Sequence, residues 1–217
     1  MKKSFLIIST LLLLLVSITS FSMGENEIKT LYNEMKLSKE ISYDLFKDAM
    51  IGYSRIDAKK KKDVITIIDY SKPSTEERFY VLDLKRKEVI FKTYVSHGVN
   101  TGGNEASRFS NTLNSRQSSL GFFLTNETYY GRNGYSLRLD GLEKGINDRA
   151  RERTIVIHGA AYATDDFIRR NGRLGRSWGC PALPDNLSKE VIDTIKNGSV
   201  LFVYGNDNTY SNKTNIL

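Results

Sequence analysis

Between Glu25 and about Lys62 apolar side chains return once per helical turn: Leu31, Met35 and Leu37, then Ile41, Leu45, Phe46 and Ala49. That period places them on one face and predicts a short helical N-terminal segment. Ser38, Ile41 and Ser42 mark a break and restart, and Gly52 marks a helix end or kink. From Val64 the pattern becomes strand-like. Val64–Tyr70, Arg78–Leu84 and Val89–Ser96 are rich in Val, Ile, Tyr and Phe, and the charged stretch Lys85–Lys87 joins the last two as a hairpin, so an antiparallel meander is expected. Leu120–Leu124, Ser136–Leu139, Thr154–Ile157 and Val200–Tyr204 are further strands. Asn186–Lys196 is one late helix with Ile192 and Ile195 inward, stopped by Gly198. The glycine- and asparagine-rich stretch Gly98–Asn114 is long for a plain connector and is a binding-loop candidate. The fold class is therefore mainly β. The chain divides into a leader (1–22), the helical segment (23–63), a β domain (64–205) and a polar, frayed tail (206–217).

Composition narrows the functions open to such a chain. With 217 residues, 40% hydrophobic and 26% charged, it is an ordinary globular sequence. Its one cysteine excludes an internal disulfide, and with two histidines the largest His/Cys metal site has three ligands. The leader has Lys2 and Lys3 ahead of an apolar run from Phe5 to Ile18, with small residues Ser20 and Ser22 at the cleavage positions, which is the pattern of an export signal. The run is short for a bilayer span, and no cysteine follows it to take a lipid, so no stable membrane insertion is expected after cleavage. Loss of residues 1–22 removes two lysines and no acid, taking the formal charge from +7 to +5. The partner is then anionic and outside the cytoplasm, in the periplasm or cell envelope, which argues against nucleic acid. The run Lys59–Lys62 is expected to be a solvated linker face.

A lone thiol in an oxidising compartment is paired between chains, kept for its reactivity, or simply buried and inert. Its surroundings favour reactivity. Thr154-Ile-Val-Ile-His-Gly159 is a buried strand ending on His158, whose neighbour Gly159 leaves room for a substrate backbone. Further on stands Gly175-Arg-Ser-Trp-Gly-Cys-Pro181. A free thiol has a pKa of about 8.5 and needs a base to become a nucleophile at neutral pH. Only His158 and His97 can supply an imidazole. Gly179 permits a sharp turn, so that the amides of Gly179 and Cys180 can face a developing oxyanion, a contribution of ~3–4 kcal/mol. Pro181 has no N–H to add. Chain order is also informative. No histidine follows Cys180, unlike papain-like and NlpC/P60-like peptidases, and no arginine follows it, unlike sortases.

Four elements in order carry a resemblance: Tyr94-Val-Ser-His-Gly98, Ser118-Ser-Leu-Gly-Phe-Phe123, Ile157-His-Gly-Ala160 and Gly172-Arg-Leu-Gly-Arg-Ser-Trp-Gly-Cys-Pro-Ala182. Over roughly Val64–Tyr204 the chain resembles the murein L,D-transpeptidase catalytic domain, the YkuD-like superfamily, in its divergent branch ending Gly-Arg-Ser-x-Gly-Cys-Pro-Ala. The resemblance implies an L,D-transpeptidase-like β-sandwich or barrel with the late helix. It also implies a cysteine acyltransferase acting on peptidoglycan stem peptides, as donor and acceptor, with no cofactor and no metal. Cys180 would attack the carbonyl of the third stem residue, release the terminal D-alanine and hold the acyl group as a thioester. An amine would then take it, giving a 3→3 crosslink, or water would. His158 would be the base. Ser177 is the nearest candidate to orient it where a backbone carbonyl does not.

Arg173 and Arg176, in the loop leading to Cys180, are the expected clamp for stem carboxylates. His97 ends a strand as His158 does and is expected in the same cleft, binding substrate or tuning the thiolate. Common members of the family have histidine where this chain has Trp178, which is expected to wall the pocket or stack on substrate. Arg149, Arg151, Arg153, Arg169 and Arg170 have only charge to recommend them and are expected at solvent. Three other readings remain open: an L,D-carboxypeptidase, a non-catalytic wall-binding protein, and a zinc peptidase with His97, His158 and Cys180 as ligands.

Overall fold

The computed structural model describes residues 23–56, 60 and 62–217. The expected leader, and Lys59 and Lys61 of the lysine run, lie outside these residues. The helical pattern is realised as α1 (Glu25–Glu34), a one-turn segment at Leu37–Lys39 and α2 (Tyr43–Arg55). Ser42 restarts the helix by accepting a hydrogen bond from the Leu45 amide (3.3 Å). Gly52 does not end α2. A Cβ at that position would lie 2.0 Å from the Phe122 ring, so the glycine lets the helix sit directly on an aromatic of the β domain. The helical segment thereby shares one core with the strands.

Eight strands follow: β1 (Val64–Asp69), β2 (Phe79–Asp83), β3 (Glu88–Thr93), β4 (Gly121–Gly131), β5 (Gly134–Gly141), β6 (Val156–Gly159), β7 (Ala182–Leu183) and β8 (Val200–Tyr204). They form one sheet in the order β3-β2-β1-β8-β4-β5-β6-β7, and β1–β3 are the expected meander. A bridge between Ser96, just past β3, and Ala182 of β7 joins the two ends of the sheet, so it curls into a nearly closed barrel. β8 lies between β1 (parallel) and β4 (antiparallel) and is buried from Val200 to Val203, as a strand with protein on both faces must be.

β4 and β5 are one long hairpin, which runs well past the short strands legible in the sequence. Gly131 pairs with Gly134 across the two-residue turn Arg132–Asn133, and Gly134 takes the left-handed conformation (φ 72°). After β6 come α3 (Asp165–Asn171) and, beyond β7, α4 (Asp185–Ile195). α4 packs on β6 and reaches β1 and β5, while α1 packs on α2. Its left-handed stop is Asn197 (φ 63°) together with Gly198.

The tail is not frayed. α5 (Tyr210–Lys213) buries Tyr210, whose hydroxyl donates to the Glu143 carboxylate (3.1 Å), and the Thr214 hydroxyl donates there too. Glu143 also accepts from the Phe122 amide (2.5 Å), so a buried carboxylate gathers the end of the chain onto the barrel. Among the described residues no helix is long and apolar enough to cross a membrane.

Candidate active site

Closure of the barrel places the Cys180 thiol and the His158 imidazole in the wall of one cavity. His158 is the penultimate residue of β6, and β7 runs parallel to that strand with His158 opposite Ala182. Cys180 lies two residues before Ala182, so this parallel register sets it beside Val156, at the start of the strand that carries His158. Both line a cavity of about 830 Å³, with Tyr162, Trp178, Arg153 and Arg176 also in its wall. Cys180 is 9% exposed and His158 4%. A second cavity, of about 760 Å³, lies on the helical segment against Leu84, Lys85 and Lys87 and contains neither group.

The turn before Cys180 is fixed atom by atom. Gly179 has φ 122°, and a Cβ there would approach the Gln117 carbonyl oxygen to 2.7 Å, so only glycine fits. The Ser177 hydroxyl accepts from the Gly179 amide (3.1 Å) and donates to the Cys180 carbonyl (2.6 Å). The Ser177 amide donates to the His97 carbonyl (2.9 Å). On the other side, Ser118 accepts from the Gly98 amide (3.0 Å) and donates to the Gly179 carbonyl (3.2 Å). Two expectations change. Ser177 braces this turn and does not orient His158. The Gly179 amide is already engaged, so of the two amides expected to face an oxyanion only that of Cys180 lacks an acceptor among the described residues.

His158 is held by its own neighbour: Nδ1 lies 2.8 Å from the Gly159 carbonyl oxygen. A carbonyl only accepts, so Nδ1 carries the hydrogen and Nε2 keeps its lone pair. Gly159 thus contributes its carbonyl. The room at its α-carbon is filled by α4 rather than by substrate, since a Cβ would meet Asp185 Oδ1 and Ser188 Oγ at 2.6 Å. Burial lowers the His158 pKa, against the Gly159 hydrogen bond and the Asp185 charge. Burial raises that of Cys180, opposed by the Val156 amide and the Arg153 charge. The thiol donates to the Thr154 carbonyl (3.6 Å).

Both shifts favour a neutral thiol beside a neutral imidazole over a thiolate–imidazolium pair. Thiolate-dependent alkylation by iodoacetamide is therefore expected to climb with pH and continue rising above ~8.5, the ordinary thiol value. A reactivity plateau already reached near pH 6 would contradict this.

His97 does not face the cavity. It is 1% exposed, its Nδ1 accepts from Arg78 Nη2 (2.8 Å), and Nε2, near the Gly102 and Gly103 backbone, makes no well-formed hydrogen bond among the described residues. The Arg78 guanidinium is itself fully buried, donating to Val95 (2.9 and 3.1 Å) and Lys72 (2.8 Å) carbonyls and stacking 4.9 Å from the Tyr70 ring. His97 therefore supports the Cys180 turn from behind through its carbonyl. With His97 elsewhere, the three-ligand zinc set does not assemble, and among the described residues no cluster of three ligating side chains occurs.

Arg173 also stays out of the cavity, donating to the Leu174 carbonyl (2.7 Å), whereas Arg176 lines it. Trp178 lines it too and is 67% exposed. Arg153 was expected at solvent and is instead half-buried in the cavity wall. It donates to the Ser110 (2.6 Å) and Gln117 (2.5 Å) carbonyls and to the Ser119 (2.5 Å) and Ser115 (3.1 Å) hydroxyls. Arg149, Arg151 and Arg169 do pair with surface acids.

These features belong to a known class of protein. The family described as the L,D-transpeptidase catalytic domain matches residues 37–204, and the chain belongs to that family. The match begins within the helical segment, ahead of β1. No curated protein is significantly similar to the chain. Similar solved structures include an L,D-transpeptidase from Mycobacterium smegmatis (15% identity, TM-score 0.41, 66% of this chain and 59% of that one). Another is an L,D-transpeptidase from Stackebrandtia nassauensis (16%, 0.40, 84% and 78%). A third is the helical cell shape determining protein of Campylobacter jejuni (15%, 0.43, 74% and 55%). The chain spans about three fifths of the first structures it matches.

Proposed function

We propose that this protein is an exported L,D-transpeptidase that transfers peptidoglycan stem peptides through a thioester on Cys180. The observation that carries this reading is the pairing of the sole thiol with an imidazole in one cavity, the imidazole held by Gly159 so that its Nε2 is free to accept a proton. Membership of the L,D-transpeptidase catalytic family supplies the substrate class, and the leader pattern supplies the route to it.

The attack begins as the thiol exchanges its Thr154 acceptor for His158 Nε2, which removes the proton as sulfur adds to the carbonyl carbon of the third stem residue. The Cys180 amide donates to the resulting oxyanion. Collapse breaks the peptide bond, His158 returns the proton to the departing D-alanine nitrogen, and the acyl group stays on sulfur. An acceptor amine, deprotonated by His158, attacks the thioester to form the new amide and regenerate the thiol. Water in place of the amine gives the carboxypeptidase outcome.

Incubating a defined tetrapeptide stem with and without a second stem, followed by mass spectrometry, tests this. Release of D-alanine with a crosslinked dimer is expected, and a tripeptide acid when the acceptor is withheld. Intact tetrapeptide in both reactions would overturn the reading in favour of a wall-binding protein.

A further inference from the structure

The cavity around Cys180 is cationic, and its cations are not compensated. Arg116, Arg132, Arg153 and Arg176 line it, and none forms an ion pair with a described residue. Its acidic lining residue, Glu152, is taken by Arg149 (2.8 Å). On the neighbouring surface, by contrast, Arg138 and Arg151 are each paired with Glu127 (3.1 and 3.0 Å). Arg153 and Arg176 spend donors on loop carbonyls, Arg176 on that of Gly102 (3.0 Å). Arg116 and Arg132 donate to no described residue. A concave wall with two uncommitted guanidinium groups fits an anionic ligand.

Arg116 is also prepared for such a ligand. Its guanidinium carbon stands 4.4 Å from the centre of the Trp178 ring. Stacking occupies the face of the guanidinium and leaves its in-plane N–H groups available, the arrangement that meets a carboxylate with two parallel hydrogen bonds. The Arg116 backbone is left-handed (φ 55°), a conformation rare for residues with a side chain. It is pinned there, because the Arg116 carbonyl accepts from the Asn100 amide (3.1 Å) and the Gln117 side chain donates to the Asn100 carbonyl (3.1 Å). An exposed side chain on a fixed backbone, braced by an exposed indole, loses little freedom on binding. Arg132 reaches the same cavity from the turn between β4 and β5.

We propose that Arg116, braced on Trp178, and Arg132 form a carboxylate clamp at the cavity mouth that selects acyl-donor peptides with a free carboxylate near the bond to be broken. The proposal rests on the transferase reading above. The carboxylate belongs either to the side chain of the residue whose carbonyl is attacked or to the C-terminus of the leaving residue.

Three tetrapeptide donors distinguish these: one with both carboxylates free, one amidated at the C-terminus and one amidated on the side chain. With the free donor, Arg116→Gln is expected to raise KM roughly tenfold with kcat nearly unchanged, and Arg132→Gln to raise it less. Trp178→Ala should act as a weaker Arg116→Gln and Trp178→Phe should be close to wild type. On the donor whose amide masks the recognised carboxylate, wild type and Arg116→Gln should coincide, which identifies that carboxylate. Equal KM changes on all three donors, or none on any, would overturn the clamp while leaving the transferase reading intact. A wild type that turns over none of the three would remove both.

Discussion

Cys180→Ala is expected to abolish release of D-alanine, a loss on the order of 10⁴- to 10⁶-fold, with the fold unchanged. Retention of the fold follows from the geometry, because the turn is held by Ser177, Ser118 and Gly179 and the thiol contributes only its long contact to the Thr154 carbonyl. His158→Gln keeps a donor for the Gly159 carbonyl but no base, and should lose ~10²- to 10⁴-fold in kcat. If the two groups act on one proton, as proposed, the double variant should be no slower than Cys180→Ala alone. Steady-state release of D-alanine by the three variants, with unfolding curves recorded alongside, checks this. Multiplying losses in the double variant would mean that Cys180 and His158 act separately.

The second large effect concerns stability in acid. Burial and the Arg78 charge push the His97 pKa down to about 3, helped by the charge of Arg176 and opposed by the carbonyls of Gly102 and Gly103; the Tyr70 ring covers its edge at 5.9 Å. In the unfolded chain His97 titrates near ~6.5. Between these values the unfolded state binds a proton that the folded state refuses, so stability rises with pH through this window and is fully present above ~6.5. Acidification from there should remove about 1.4 kcal/mol per pH unit on account of His97 alone. Urea unfolding at pH 7, 6, 5 and 4 should show a shallower decline for His97→Gln than for wild type, carboxylate contributions being common to both. Parallel declines would contradict a neutral, buried His97.

What could be read before the structure follows the range of the interactions involved. The strands of the meander, the restart at Ser42 and the late helix are local patterns, and the chain adopts them as read. Cys180 and His158 were legible because each sits in a short motif, although the β6–β7 register that unites them is set by a two-residue strand that no periodicity announces. His97 departs from its expected place in the cleft because a strand-end histidine looks the same in sequence whether it faces a cavity or a buried arginine. Arg78, the residue that decides this, stands at the start of a strand with no motif around it. Arg153 and Arg116 carry no local signal, since barrel closure and the packing of the Gly98–Asn114 stretch, distant in sequence from Arg153 and just preceding Arg116, decide which loop arginines meet the cavity. The β4–β5 hairpin left a signal that could have been used. Arg132-Asn133-Gly134 stands between Tyr129-Tyr130 and Tyr135, a turn bounded by aromatic strand residues, and it would have placed Arg132 at a hairpin tip.

The central claim is that a stem peptide becomes covalently attached to Cys180, and trapping that intermediate tests it most directly. Wild-type protein mixed with excess tetrapeptide stem in the absence of acceptor, quenched in acid and digested, should yield a peptide containing Cys180 heavier by the tripeptide acyl group. That mass should be lost on treatment with hydroxylamine, as a thioester requires. A wild type that releases D-alanine while Cys180 stays unmodified at every quench time and pH, or an adduct on a different residue, would contradict the account.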